Sequence, residues 1–414
     1  MLTKANFKKG SEVGTHYALQ SRTGNENEPF GGRDIILTGD FHQFPPVGNK
    51  QSALYCPTSP HDSKDSILGK TIFDSFDTVV ILHQQNRIQD EEWSILLQRL
   101  RTGECTEKDV EEAHKLVLGH PDCPKTDFTR APWKNAILVT PRHSVRHAWN
   151  EACLDRHCRL SGQRQYRAPA YDTLRTRTGE ASIPMSVKLA IAELNERSTG
   201  RLPDHIDLAI GMKAMVVLNL STEKEIANGT RGIVEDLILD PNEDDEPTID
   251  DDGTVLLKFP PLATIFRPEG GCDFKFNTQA NDINVKIPTG CVPIAPSTTT
   301  FTVNVGEKSF GIRRRQLAMT AGYAFTDYKS QGQTIEYAII DLAKPPRGTI
   351  TPFSAYVALS RSRSRNTVRL LRDISDDVVN DVFMKHPSLD LKNAMEHLER
   401  LNNLTKEQVD KGEL

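Results

Sequence analysis

An apolar run that ends in a charged, proline-stiffened turn constrains this chain more than any other feature. The stretch "RDIILTGDFHQFPPV" sets Ile35, Ile36 and Leu37 side by side, then Asp40, Gln43 and the pair Pro45-Pro46. A short run that is apolar at consecutive positions reads as a strand covered on both faces, as in a parallel sheet with helices on either side. Proline fixes φ and lacks the N–H that a ladder needs, so a strand over about 34–38 stops here by construction. In open parallel α/β sheets the ligand crevice lies at the carboxyl ends of the strands. Asp40 and Gln43 are therefore expected to face such a crevice from a stiff turn.

The rest of the chain supports an α/β reading with a change of character in the middle. "TVVILH" (78–83) is read as a second strand. Two amphipathic helices follow. Trp93, Leu96, Leu97 and Leu100 fall at i, i+3, i+4 and i+7, with Gly103 suited to the C′ position. Thr106 with Asp109 three residues on forms a capping-box variant ahead of Val110, Ala113, Leu116 and Val117. Residues 119–134 read as a proline-rich linker. A strand at 135–141 and a helix at roughly 144–157 then restart the strand–helix alternation. From about 212 to 310, short apolar runs separated by Asn-Gly, Asp-Gly and Pro turns predict antiparallel β structure, a small barrel inserted into the second α/β unit. The alternation returns with strands at 335–342 and 367–371 around a helix near 353–361, and residues 389–414 form a polar amphipathic helix.

Charge and cysteine content narrow the class. The net charge of −5 is no basic nucleic-acid signature, but 241–252, "PNEDDEPTIDDD", holds seven acidic and no basic residues, and without it the balance turns to about +2. That run reads as a solvated loop. Seven cysteines without paired spacing fit a reducing, intracellular compartment. Cys153, His157 and Cys158 lack the fourth ligand and second knuckle of a zinc site, so no metal site is expected. No apolar run approaches the ~20 residues of a membrane span, and no signal-peptide core opens the chain.

Two further segments carry polar chemistry. "TDYKSQGQT" (326–334) lies between a strand and a helix, with a glycine where backbone must approach something closely. Its hydroxyls, lysine and amides suit phosphate oxygens. "YVALSR" (356–361) opens a run containing Arg361, Arg363, Arg365, Arg369 and Arg372. Alone, each segment has a plain reading as a polar turn or a solvated face.

Together and in order, "PFGGRDIILTGDFHQFPPV", "NRIQDEEWSILLQRLRTGECTEKD", "NGTRGIV", "AFTDYKSQGQT" and "AYVALSRSRSRNTVRLL" resemble successive motifs of superfamily 1 DNA helicases of the petite-integration-frequency (Pif) type, including their Helitron-like branch. The resemblance spans most of residues 29–372. It implies tandem RecA-like parallel-sheet domains, the first of them incomplete: 1–118 as the remnant of the first with its following helices, 119–134 as linker, 135–372 as the second with a β-rich, SH3-like insertion at about 232–312, and 373–414 as a helical tail. It implies ATP-dependent unwinding of DNA with 5′→3′ translocation, and keywords of DNA repair, recombination and telomere maintenance. Gln43, Arg87 and Arg361 would be the catalytic set. Asp40, Gln331 and Gly332 would join them on the ATP side, with the arginines neutralising charge on the transferred phosphoryl group. Pro45, Pro46, Thr326, Lys329 and Ser330 would lie toward single-stranded DNA, contacting backbone rather than bases. The implied partners are single strands, duplex junctions and ATP, and the implied compartment is the nucleus, with the mitochondrion as alternative.

The chain departs from that pattern in several places. Asp327 and Tyr328 stand where the family usually carries an aliphatic residue and a histidine, and an aspartate beside a phosphate path is electrostatically unfavourable. His42 and Phe44 replace the more usual aromatic and leucine. Gly69-Lys70-Thr71 has Lys64 where a phosphate cradle needs its first glycine and no preceding strand, so it reads as helix. ATP and Mg²⁺ are implied by the resemblance, yet the Mg²⁺-binding acidic pair is absent, and Met1-Leu2 resembles the dipeptide that follows it. On that expectation the strand at 34–38 loses a neighbour and exposes an edge. The alternative function is a catalytically inactive, transposon-derived remnant that at most binds single-stranded DNA.

Overall fold

The computed structural model describes residues 2–4, 8–9, 13–46, 50–176, 179–194, 198–221, 226–272, 287–346 and 348–413. By their contacts the residues fall into two compact units, one built from Met1–Arg142 with Thr326–Leu414 and the other from His143–Phe325. The α/β architecture with parallel and antiparallel sheets is the one expected.

In the first unit the strand Ile36–Thr38 pairs in parallel with Leu2–Lys4, in the register Leu2↔Ile36 to Lys4↔Thr38. The edge expected to be bare on this side is thus paired. The strand itself is not covered on both faces, since Ile36 keeps 59% of its surface in contact with solvent. A second parallel sheet places Ala338–Ile340 between Ile137–Val139 and Val368–Leu370. All three of these strands are buried at every position, as their continuous apolar sequences require.

The helices follow the local chemistry closely. Asp90 caps Glu91–Thr102 by accepting the Trp93 N–H, and Gly103 ends it in the left-handed region at φ 74°. A Cβ there would come within 2.6 Å of Pro387 and 2.9 Å of the Lys385 carbonyl, so glycine is required twice over. Thr106 and Asp109 form the reciprocal capping box of Glu107–His114. Every residue of both expected apolar stripes is buried. Gly69-Lys70-Thr71 lies inside the helix Lys64–Asp74, with Lys70 paired to Asp74 one turn on.

Residues 78–83 are extended but join no strand. Val79 and Ile81 point one way and Val80 and Leu82 the other, where the latter two are 71% and 88% exposed. The backbone donors find side chains instead of a ladder. The Val79 N–H donates to Thr405 Oγ1 and the Ile81 N–H to Asn402 Oδ1, each at 3.0 Å. Both acceptors are buried on the terminal helix Leu389–Lys411. An apolar alternation alone could not separate this arrangement from a strand, because the partner is supplied from more than three hundred residues away.

The second unit holds the helices His143–Ser161 and Met185–Ala192 with three largely antiparallel sheets. The largest joins Val292–Ile294, Ala263–Pro268, Arg231–Ile238, Lys213–Val216 and Met319–Ala321 in that order. Its core gathers Leu154, Leu208, Met212, Val234 and Phe266. Antiparallel pairing begins earlier than the apolar pattern implies, at Tyr166–Pro169 and Tyr171–Thr176. There arginines, threonines and aspartates alternate with few apolar residues, so periodicity was weak. Asn228-Gly229 forms a turn, with the Gly229 N–H donating to the Val216 carbonyl at 2.9 Å. Part of the expected insertion, 273–286, lies outside the described residues. The acidic run is largely exposed and is tied to the segment that follows it, Glu243 accepting the backbone N–H groups of Lys258 and Phe259.

Replacing Asn402 with leucine removes the acceptor for the Ile81 N–H while roughly keeping the side-chain volume. The expected cost is about 1–3 kcal/mol in urea unfolding, with faster hydrogen exchange at Ile81. Unchanged stability would mean that the terminal helix does not hold this segment.

Candidate functional site

The turn after Ile36–Thr38 is organised by Asp40. Its Oδ1 accepts the His42 N–H at 3.0 Å, an Asx turn, and its backbone carbonyl accepts the Gln43 N–H at 3.2 Å. The same Oδ1 pairs with Arg101 Nη2 at 3.0 Å. Phe41 points into a cluster with Leu54 and Leu391, and His42 is also buried. Burial and the Arg101 charge push the His42 imidazole below its ordinary pKa. With both neighbours turned inward, Gln43 stands half-buried at the turn.

The second segment begins at Thr326, whose Oγ1 accepts the Lys329 N–H and caps the short helix Asp327–Ser330. Ser330 is fully buried and donates its hydroxyl to the Asp327 carbonyl at 2.7 Å. Gln331 Nε2 donates to Gln43 Oε1 at 2.9 Å, so the two turns meet through their carboxamides. They meet again where Tyr328 stacks on Phe44, with ring centroids 4.0 Å apart. Gly332, at φ 79°, then reverses the chain toward the strand Ala338–Ile340.

Asp327 does not face an open path. It is buried, accepts the Tyr328 N–H at 2.9 Å and a hydrogen bond from Ser354, and desolvation pushes its carboxyl pKa up. Lys329 is half-buried, as are Pro45 and Pro46.

Arg361 follows the helix Pro352–Leu359 and is almost wholly buried. Nε donates to the Val357 carbonyl at 2.6 Å, Nη2 to Ser360 Oγ at 2.7 Å and Nη1 to the Gln333 carbonyl at 3.4 Å. Arg87 donates to Thr334 Oγ1 and to the Ser360 carbonyl, both at 3.2 Å. Among the described residues neither arginine has a carboxylate ion-pair partner. Burial, and then the nearby Arg87 charge, lower the Arg361 pKa to about 10, and burial lowers that of Arg87 as well. Two guanidiniums held only by neutral acceptors suit an anion with several oxygens.

The remaining arginines of the run have other duties. Arg365 pairs with Asp90 at 2.9 Å and with Glu92. Arg369 lies over the Trp133 ring at 4.6 Å, and Arg372 pairs with the buried Asp341 at 2.9 Å. Three of the five are thus structural pins. Sequence reasoning missed Arg101, Thr334 and Ser360. Arg101 looks like any cation in the last turn of a helix, and only the folded chain shows that it meets Asp40.

The parallel α/β framework of this unit thus carries two turns joined through their carboxamides, and Arg361 and Arg87 bond to Gln333 and Thr334 just after the second of them. No protein-family model matches the chain. ATP-dependent DNA helicase PIF1 of Emericella nidulans is 24% identical over 378 residues, covering 84% of this chain and 43% of that protein. Pif1 of Psychrobacter sp. (strain PRwf-1) is 25% identical over 397 residues, covering 90% and 54%. PIF1 of Danio rerio is 26% identical over 346 residues, covering 83% and 41%. The chain therefore spans about half the length of the curated relatives it matches. The Pif1 helicase structure from Candida albicans aligns with a TM-score of 0.58 at 17% identity, over 95% of this chain and 75% of that one. Pif1 from Bacteroides in complex with ADP-AlF3 and single-stranded DNA aligns with a TM-score of 0.59 at 17% identity, over 96% and 74%. The chain thus has the fold of Pif1 helicase structures, and the resemblance read from its motifs extends over most of its length.

Because the folded pKa of Asp327 is raised, its contribution to stability is fully present below the unfolded-state value and is lost as pH rises through the folded value. Asp327→Asn is therefore expected to melt higher than the wild type at about pH 7.5, the gap closing by about pH 4. A gap that stays constant between those two conditions would show that the carboxyl is not desolvated.

Proposed function

We propose that this chain acts in ATP-driven unwinding of DNA, moving 5′→3′ along a single strand. The observation that carries the reading is the pair Arg87 and Arg361, cations with hydrogen-bond acceptors but no acid, beside the joined Gln43 and Gln331 carboxamides. A triphosphate supplies the missing negative charge. The arginines would bind its terminal oxygens, and their fixed geometry favours the transition state, in which charge spreads over those oxygens. Gln43, tied to Asp40 and to Gln331, would register whether the terminal phosphate is present. Thr326 and Lys329, with Pro45 and Pro46 on the facing turn, would lie toward the strand.

The residues present fit a triphosphate better than they fit its metal. The carboxylate of Asp40 is engaged by Arg101 and the His42 N–H. Among the described residues, no group of three His, Cys, Asp or Glu side chains is arranged to hold a metal ion. Relatives named ATP-dependent DNA helicases and a neighbour solved with ADP-AlF3 and single-stranded DNA support the reading. On it, the compartment is the nucleus or mitochondrion, and repair, recombination and telomere maintenance are the processes served.

One observation favours a second reading, a strand-binding protein without turnover: the Gly-Lys-Thr that could cradle phosphate lies within a helix. DNA-stimulated ATP hydrolysis and unwinding of 5′-tailed duplexes separate the two. The helicase reading expects turnover that falls about 10³-fold or more in Arg361→Ala and Arg87→Ala. Salt-sensitive strand binding with no turnover selects the second reading, and turnover indifferent to both arginines overturns the first.

A further inference from the structure

Arg101 stands in the last turn of the helix Glu91–Thr102 and reaches away from it in two directions. One arm of its guanidinium, Nη2, donates to Asp40 Oδ1 at 3.0 Å, and the other, Nη1, donates to the Tyr356 hydroxyl at 3.4 Å. Its backbone carbonyl accepts a hydrogen bond from the His42 imidazole. This helix end is thus bound to the turn at 40–43 twice, by main chain and by side chain.

Each of the two side-chain contacts leads to one half of the candidate site. Asp40 Oδ2 accepts a hydrogen bond from Gln43 Nε2 at 3.4 Å, while Gln43 Oε1 accepts one from Gln331 Nε2 at 2.9 Å. A carboxylate can only accept, so the Gln43 nitrogen must face Asp40 and its oxygen is left for Gln331. On the other side, Tyr356 lies in the helix Pro352–Leu359, and its carbonyl accepts the Ser360 N–H at 2.9 Å. Ser360 in turn accepts from Arg87 through its carbonyl and from Arg361 through its hydroxyl. Tyr356 is also close enough to both arginines to favour their charged forms. Arg101 therefore joins the Gln43 carboxamide to the helix end at which the two arginines meet. Only a planar fork serves both contacts at once, since a lysine ammonium would hold Asp40 as a point charge without two fixed, diverging donors.

We propose that Arg101 is a positioning residue: through Asp40 and Tyr356 it sets Gln43 against the Arg87–Arg361 pair, and so transmits strand contact at the Pro45-Pro46 turn to the phosphate site. The proposal rests on the proposed function and names the link between its two ligands. Arg101 meets neither phosphate nor strand on that reading. Its effect is on how far the one ligand alters the turnover of the other.

The test measures ATP turnover with and without oligo-dT in Arg101→Lys, Tyr356→Phe and the double variant, with thermal melting alongside. Both single variants are expected to lower the ratio of strand-stimulated to strand-free turnover about tenfold, with KM for ATP within about twofold of wild type. The double variant should fall no further than the lower single, because both substitutions break the same link. A residue with a structural role alone would depress both turnovers together and leave their ratio in place. That result overturns the proposal, as does a double variant whose loss is the product of the two single losses. A second readout needs no turnover: in glutamine-labelled protein the side-chain amide of Gln43 is expected to lose order in both single variants. An unchanged Gln43 signal overturns the proposal whether or not the wild type hydrolyses ATP. Absence of hydrolysis by the wild type refutes the helicase reading itself, a separate outcome.

Discussion

A guanidinium taken out of water without an acid beside it is the constraint around which the first unit is arranged. Arg361 makes three hydrogen bonds, all to neutral oxygens, and its charge is opposed by that of Arg87. Burial of this kind is costly unless a counter-charge arrives. Acids are not scarce nearby in sequence: Arg365, four residues on, has both Asp90 and Glu92. Asp40 exerts some pull on Arg361, yet it is held by Arg101. The carboxylates of this region fix the framework, and Arg87 and Arg361 make their hydrogen bonds to neutral oxygens. Groups strongly perturbed by burial cluster at functional sites, which makes these two arginines candidates for one.

The same division of labour explains the order of residues in the "TDYKSQGQT" segment. The short helix turns Asp327 inward, where it accepts hydrogen bonds from the Tyr328 backbone and Ser354. The adjacent Tyr328 is thereby directed outward onto Phe44. Phe44 and Tyr328 are therefore one structural feature, a pair of stacked rings that ties the turns together beside the Gln43–Gln331 hydrogen bond.

Much of this could be read from local sequence, and the failures share one cause. For the helices at 91–102 and 107–114 the buried stripes, Gly103 and the Thr106–Asp109 box were legible, because such signals act within a few positions, whereas the Asp90 cap was not singled out. The buried strands at 137–139, 338–340 and 368–370 were legible for the same reason. Residues 78–83 have the pattern of a strand, but their hydrogen-bond acceptors are Asn402 and Thr405. Asp40 was placed at the right turn, whereas its partner Arg101 was invisible at a distance of 61 residues. The arginine run misled in the other direction. Five like charges suggest one surface, yet Arg361 is buried among neutral acceptors and three others are pinned by an acid or an indole, a distinction that only tertiary partners create.

The terminal helix shows how far such support can lie from the chemistry it serves. Leu389–Lys411 offers no reactive side chain, and its sequence reads as a polar tail. In the fold it contributes Leu391 to the cluster around Phe41, with Met395 and Leu398 packed against it. Phe41 is the residue that anchors the turn, and Gln43 stands two positions beyond it. The carboxamide can hold its place against Gln331 only while Phe41 is seated, because a glutamine side chain with three rotatable bonds has no rigidity of its own. Packing at the far end of the chain thus fixes a polar group near its beginning. A shift of that helix would displace Gln43 without altering any residue that touches a ligand.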